Sequence, residues 1–265
     1  MMDRERLLKW LPWISTPLLL IAILGGWKVC TVVFGISRFV LPPPEDVAVT
    51  LAELARDPEI WLVHARATLA ETVTGFVIAL VTGVVAGAVL GRVLWLERAV
   101  RPVVVALQVI PKVALVPLFV IWFGFGMTSK IVIAAILAFF PIMLNVLLGV
   151  RSVDPGHRDV MRSLDASRWQ TFQSLDFHST LPYVFTGMEV GIVFALIGAI
   201  VGEYLGGNQG LGYLVVVSLN GLDAPRLFAV IVLLAALGSI LFFAVNGLKR
   251  WMIPWHDSVI EHRLT

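Results

Sequence analysis

Five polar side chains stand inside or at the ends of long apolar runs: Gln108, Lys112, Asn145, Glu189 and Glu203. Polar groups are costly in such runs and usually face a cavity, a partner or a solute path. Lys112 and Glu189 carry opposite charges, and both runs enter from the same side. At ~1.5 Å per residue their depths agree to about one helical turn, so either the two pair, within the chain or across a dimer in at least one state, or Lys112 snorkels inward and Glu189 sits in vestibule water. Gln108 and Asn145 suit hydrogen bonds between helices. Glu203 falls at the far end of its run, where it faces the same path or interfacial water, and Glu71 is expected at the interface. Nothing here resembles a catalytic set: the runs hold no Ser/His/Asp group, no paired carboxylates and no H-E-x-x-H. A single cysteine, Cys30, excludes an internal disulfide framework and a Cys-rich metal site. The chain also lacks G-x-x-x-x-G-K-[ST], the loop that cradles ATP phosphates.

The elements that position these residues follow from composition. The chain is 58% hydrophobic and 14% charged, with a mean hydropathy of +0.91. A soluble domain is roughly 45–50% apolar and about 25% charged, so a soluble enzyme and a disordered chain are excluded. A net charge of +2, with 20 scattered Lys and Arg, gives nucleic acid nothing to bind. A membrane span needs about 20 mostly apolar residues. Six stretches qualify, near 13–34, 68–91, 102–123, 130–150, 181–203 and 227–248. Continuous runs such as Ile131 to Phe140 exclude the alternating strands of a membrane β-barrel. The first stretch is too long for a signal-peptide core and has no small-x-small cleavage site after it, so it is read as an uncleaved span. With the N-terminus inside, thirteen Lys and Arg fall in inside segments, Lys249 among them, and five in outside ones, Lys130 among them. That asymmetry places both termini in the cytoplasm and Cys30 near the outer end of the first span. The expected fold is an all-α integral membrane protein with six transmembrane helices.

Between the first two spans, Leu41-Pro-Pro-Pro44 is stiff and non-helical. Glu45 and Asp46 then open a short amphipathic helix at the outer surface. Gly83, Gly87 and Gly91, four apart, form a stripe for close helix packing. Gly206, Gly207, Gly210 and Gly212 surround a short outer segment, Leu211 to Leu219, suited to a re-entrant or gate element.

The inside loop 151–180 is too structured for a linker. Asp154-Pro155 reads as an N-cap followed by proline at the first helical position, so a helix runs from Pro155 to Leu164. Ser167-Arg-Trp-Gln170 is an S-x-x-Q capping box that starts a second helix. Asp165 between them tolerates the left-handed conformation that such a turn requires. The product is a helix–turn–helix elbow carrying Trp169 and Phe172. These aromatics suit either the headgroup layer or a docking contact with a soluble partner.

The run from Asp159 through Phe172, followed by Leu181-Pro-Tyr-Val-Phe-Thr-Gly187, resembles the EAA loop of binding-protein-dependent ABC importer permeases, in particular the nitrate/sulfonate/taurine-like group. Three further runs, in order, are similar to the same group. They are Ile110–Leu118 with Trp122–Gly126 and Ser129-Lys130, Phe139–Ile142 with Asn145 and Gly149, and Gly202-Glu-Tyr204 with Gly210–Tyr213. The resemblance covers about residues 60–250. The chain departs from the pattern at several positions. The EAA triplet falls on Asp159, Val160 and Met161, the motif glycine on Asp165 and a later proline on His178, whereas Pro182 is kept; position 189, often basic in the group, is Glu.

The resemblance implies a type I ABC importer permease-like bundle in the bacterial cytoplasmic membrane. Residues 1–60 would hold the N-terminal tail, first span and outer amphipathic segment; 61–250 the permease domain with its coupling elbow 151–180; and 251–265 a cytoplasmic tail. It implies a second permease subunit, here a homodimer, two cytosolic ABC ATPase subunits and an extracytoplasmic substrate-binding protein. The chain itself would carry no cofactor, ATP and Mg being bound by the partner ATPase. Asp159, Leu164, Asp165, Ala166, Ser167, Trp169 and Phe172 would meet the ATPase. Gln108, Lys112, Asn145, Glu189 and Glu203 would line the path of a small solute. The alternative is a secondary transporter or channel driven by an ion gradient, with the intramembrane acids as relays; the missing internal repeat weighs against it.

Overall fold

In the computed structural model the described residues run from 4 to 255, with side chains from Ser15 onward apart from Thr16. The basic start (Arg4, Arg6, Lys9) therefore has a described backbone but no described side chains, and most of the C-terminal tail, Arg263 included, lies outside. All regular structure among the described residues is helical. Eleven α-helices follow in order: α1 (Arg4–Val32), α2 (Pro44–Arg56), α3 (Arg66–Arg92), α4 (Leu94–Val109), α5 (Val116–Phe123), α6 (Met127–Arg151), α7 (Pro155–Ser163), α8 (Arg168–Thr171), α9 (Phe177–Gly206), α10 (Leu211–Asn220) and α11 (Ala224–Met252). A π-helical turn over Ile60–Ala65 leads into α3, and another over Phe172–Asp176 joins α8 to α9.

The core is the α3–α6–α9 trio. Small residues set its spacing. A Cβ on Gly87 of α3 would sit 2.5 Å from the carbonyl oxygen of Met143 and 2.8 Å from the Val146 side chain on α6. Only glycine permits that approach, so the stripe read from the sequence does pack one helix closely on another. Phe76, Ala134, Ala138, Ile142, Phe185 and Ala195 fill the space between the three helices. A second cluster joins Val47 and Leu54 of α2 to Leu214 of α10 and Val230 and Leu234 of α11. The amphipathic helix that starts at the proline run is therefore present, and its apolar face lies on α10 and α11. Trp27 of α1 reaches the same corner, donating to the Pro42 carbonyl at 2.9 Å.

Among the described residues, four helical stretches are long and apolar enough to cross a membrane: Ile60–Arg92, Met127–Arg151, Arg168–Gly206 and Ala224–Met252. The continuous span expected over 102–123 is not one helix. It is α4 and a short 3₁₀ turn with α5, bent by 80° at the break. Pro111 is the cause. It lacks the N–H that the helix needs and drives Ile110 out of the α region, to ψ 127°. The first predicted span lies on α1, whose stretch with described side chains is apolar over Pro17–Val32.

Candidate functional site

The elbow is built as its sequence dictates. The Asp154 carboxylate accepts from the Gly156 N–H at 2.6 Å and caps α7. Ser167 and Gln170 cap each other: Ser167 N–H donates to Gln170 Oε1 at 2.8 Å, and Gln170 N–H donates to Ser167 Oγ at 3.3 Å. Between them Asp165 sits at φ 50°. Its N–H donates to the Arg162 carbonyl and the next N–H, Ala166, to the Met161 carbonyl, both at 3.0 Å. Those two bonds are the Schellman closure, which satisfies the orphan carbonyls at the end of α7. Asp159 is held by Arg162 at 3.1 Å.

The elbow presents an apolar tip. Leu164 is 71% exposed and Trp169 68% exposed. Phe172 is half-buried beneath the tip, 5.6 Å from the Trp169 ring, with the Arg92 guanidinium 4.9 Å from its centroid. Arg92 and Arg158 both bind Asp176, at 3.5 and 3.2 Å. The elbow is thus tied to the inner ends of α3 and α9.

A second polar assembly lies at the other end of the trio. Glu203, on α9, is 1% exposed, Glu71 on α3 is fully buried, and Lys130 on α6 is 2% exposed. Lys130 Nζ donates to Glu71 Oε1 at 2.9 Å. Glu203 spends both oxygens inside the protein: Oε1 accepts from the Thr68 hydroxyl and Oε2 from the Gly212 N–H, each at 2.6 Å. Leu211 N–H donates to Thr68 Oγ1 at 2.8 Å and Gly210 N–H to His64 Nδ1 at 3.2 Å. The first N–H groups of α10 have no acceptor in their own helix; here three side chains, from the π turn before α3, from α3 and from α9, supply it. A carboxylate at that end also meets the positive pole of the helix. Gly210 adopts φ 113°, and a Cβ there would run into the Glu203 carboxylate. The glycine-rich outer segment is therefore an anchored short helix.

This assembly corrects two expectations. Lys130 was expected in an outside loop and Glu71 at the interface; both are buried. A signal was present. His64, Thr68 and Glu71 recur at i, i+4 and i+7, a polar stripe along one face of a mainly apolar helical stretch.

The remaining sequence-picked residues do not gather into one cluster. Lys112 and Glu189 are not paired within the chain. Glu189 accepts from Lys249 at 3.2 Å and from Asn246 at 3.1 Å, both on α11. Equal depth places two residues at one level but says nothing of direction around the bundle, and Lys249 belongs to a helix, not to an inside loop. Lys112 instead donates to the Gln108 carbonyl at 3.3 Å and lies over the Phe140 ring at 4.9 Å. It lines a groove of about 510 Å³ between α3, α6 and the α4–α5 break. The Gln108 side chain lines a separate cavity of about 300 Å³ with Glu97 and Arg101. Asn145 donates to the Pro141 carbonyl of its own helix at 2.9 Å and so does not join two helices.

The arrangement, a helical membrane bundle with a capped elbow at one end and a buried polar anchor at the other, matches known proteins. Residues 60–254 match the family model described as "Binding-protein-dependent transport system inner membrane component". The chain is 34% identical to the formylaminopyrimidine transport permease protein ThiX of Halalkalibacterium halodurans over 86% of its own length and 90% of the relative's. It is 33% identical to the riboflavin transport system permease protein RibX of Chloroflexus aurantiacus, over 93% and 92%. It is 29% identical to the taurine transport system permease protein TauC of Escherichia coli, over 88% and 86%. Among solved structures, an inward-facing MetNI methionine ABC transporter chain superposes with a TM-score of 0.58 at 22% identity, covering 72% of this chain and 93% of that one, a likeness of fold. The chain therefore belongs to the binding-protein-dependent transport system inner membrane components, the permeases of ABC importers, and is a multi-pass membrane protein.

Proposed function

We propose that this chain forms the translocation pathway of an ATP-driven importer for a small solute delivered by an extracytoplasmic binding protein. The relatives' names span formylaminopyrimidine, riboflavin, sulfonates, taurine and nitrate, and the solute belongs to that size class. Two copies of the chain pair, and each offers its elbow to one of two cytosolic ATPase subunits, which hold ATP and Mg. Six crossings put both termini in the cytoplasm, with α4 and α5 together making the third. Residues 61–250 act as the permease domain, flanked by 1–60 and the 251–265 tail. Gln108, Lys112, Asn145, Glu189 and Glu203 act along or beside the path, and Asp159, Leu164, Asp165, Ala166, Ser167, Trp169 and Phe172 at the ATPase. Closure of the ATPase pair moves the elbows, and the bundle changes its side of access as a two-state element.

The observation that carries this reading is the elbow: two caps and a Schellman closure hold a 68%-exposed tryptophan rigidly at one end of the bundle. Rigid, exposed aromatics of this kind anchor protein interfaces and carry roughly 2 kcal/mol or more. Trp169→Ala is expected to insert and fold normally, yet to lose at least about tenfold in ATPase association. Size-exclusion and pull-down of the co-expressed complex measure both. Normal association by Trp169→Ala would return the tryptophan to the headgroup layer.

A further inference from the structure

We infer that the groove beside Lys112 is a binding station for a small planar anion: an aromatic body carrying a single sulfonate, carboxylate or comparable group. The inference rests on the chain being the pathway-forming subunit and goes on to name the solute chemistry that one place in it accepts.

Three observations converge. The first is the state of the lysine. Among the described lysines, Lys28, Lys130 and Lys249 each hold a carboxylate, at 2.7, 2.9 and 3.2 Å. Within the chain Lys112 holds none; it has one carbonyl oxygen and the face of Phe140. An ammonium in a membrane span without a counter-ion is costly, and such residues mark ion and substrate paths. The second is the surroundings. Phe119, Phe139 and Phe140 contribute three rings to the groove, and the other walls are mainly aliphatic. Besides Lys112 the lining has one polar side chain, Thr82, whose hydroxyl is spent on the Ile78 carbonyl at 2.7 Å. Such a wall accepts an apolar, flat body through stacked and edge-on ring contacts, with Lys112 as its one charged group. The third is the backbone. Non-helical backbone at membrane depth is tolerated only when it is buried in protein or lines a cavity. The break at Ile110-Pro111 lies on this groove, and Ile110, Lys112 and Leu115 all face it. The volume, about 510 Å³, lies within the ~300–1,000 Å³ of small-molecule sites.

Charge complementarity therefore fixes the occupant. One cation at the edge of an aromatic slot selects one anionic group on a planar body, and it rejects the isosteric cation.

The test uses the full chain in nanodiscs and three radiolabelled probes of one shape: naphthalene-2-sulfonate, 2-naphthalenemethanol and 2-naphthylmethylammonium. Saturable binding of the sulfonate is expected, with the neutral and cationic probes weaker by about tenfold or more, the scale of one charge-assisted contact. Lys112→Met should weaken the sulfonate by about tenfold and leave the alcohol unchanged, whereas Lys112→Arg should stay within about threefold. Ile136→Trp, which fills the groove without touching the charge, should abolish binding of all three. Equal binding of the three probes, or full sulfonate binding by Lys112→Met, would show a groove that takes only acyl chains and would overturn the inference. Trp169→Ala separates the two readings. If it associates with the ATPase normally while Lys112→Met still loses the sulfonate, the coupling reading fails and this one stands.

Discussion

At the scale of single residues, the decisive feature is how charges inside the bundle are compensated. Lys130 and Glu71 neutralise each other at 2.9 Å in a place closed to water. The second oxygen of Glu71 has no hydrogen-bond partner, and Glu203 lies beside the pair with both of its own oxygens already committed. Removing the lysine would leave two buried carboxylates with no cation. Breaking a buried pair from one side typically costs ~3–5 kcal/mol. Lys130→Met is therefore expected to lower the thermal unfolding temperature sharply in nanodiscs. The double variant Lys130→Met with Glu71→Gln should recover part of the loss, because one of the two uncompensated carboxylates is then gone and only Glu203 remains, held by Thr68 and the Gly212 N–H. A Lys130→Met protein as stable as the parent would contradict the pairing. Asp165 offers a test in the opposite direction. At φ 50° a side chain is a mild burden, so Asp165→Gly should be neutral or slightly stabilising, while a β-branched Asp165→Val should destabilise the elbow.

At the scale of elements, the elbow and the anchored α10 rest on different kinds of information, and the sequence reading succeeded where the information was local. Asp154, Asp165, Ser167 and Gln170 act on backbone groups within three residues of themselves, so cap, turn and restart could all be read in order. The amphipathic α2 and the glycine stripe of α3 were legible for the same reason: a period along one helix predicts a face. Most of the misses are relations between elements, the break at Pro111 being the local one. Nothing near Glu189 in the chain points to Lys249 on α11. Depth counting placed Lys112 opposite Glu189 because it ignored azimuth, and hydropathy carried the third span straight through Ile110-Pro111, where the backbone turns by 80°. The anchor of α10 was half-legible. Its glycines were noticed, but His64, Thr68 and Glu71 were not recognised as the stripe that receives them. A direct check at this scale is Ser167→Ala, which removes one half of the capping box and should cost about 1 kcal/mol of local stability. Hydrogen exchange should then speed up over α8 and the following π turn while the α3–α6–α9 core stays protected. Unchanged exchange there would mean that packing beneath Phe172, and not the cap, holds the elbow.

At the scale of the whole molecule, elbow, bundle and outer anchor lie along one set of helices. α3 and α9 carry both the inner tie through Arg92 and Asp176 and the outer anchor through Glu71, Thr68 and Glu203. Motion at the elbow therefore has a continuous, closely packed route to α10. The topology it requires places tags at both termini on the cytoplasmic side and the Cys30 thiol near the outer face, which protease access and impermeant thiol labelling in oriented vesicles can check. Termini on opposite sides would contradict six crossings. The central claim is that this chain moves its solute by ATP hydrolysis in a partner, and the most direct measurement is transport in proteoliposomes holding the permease, its co-purifying ATPase and its binding protein. The account predicts uptake that tracks ATP hydrolysis, stops without the ATPase and is indifferent to an ionophore. Uptake that persists without ATP and collapses with the ionophore would contradict it and make the chain a gradient-driven transporter.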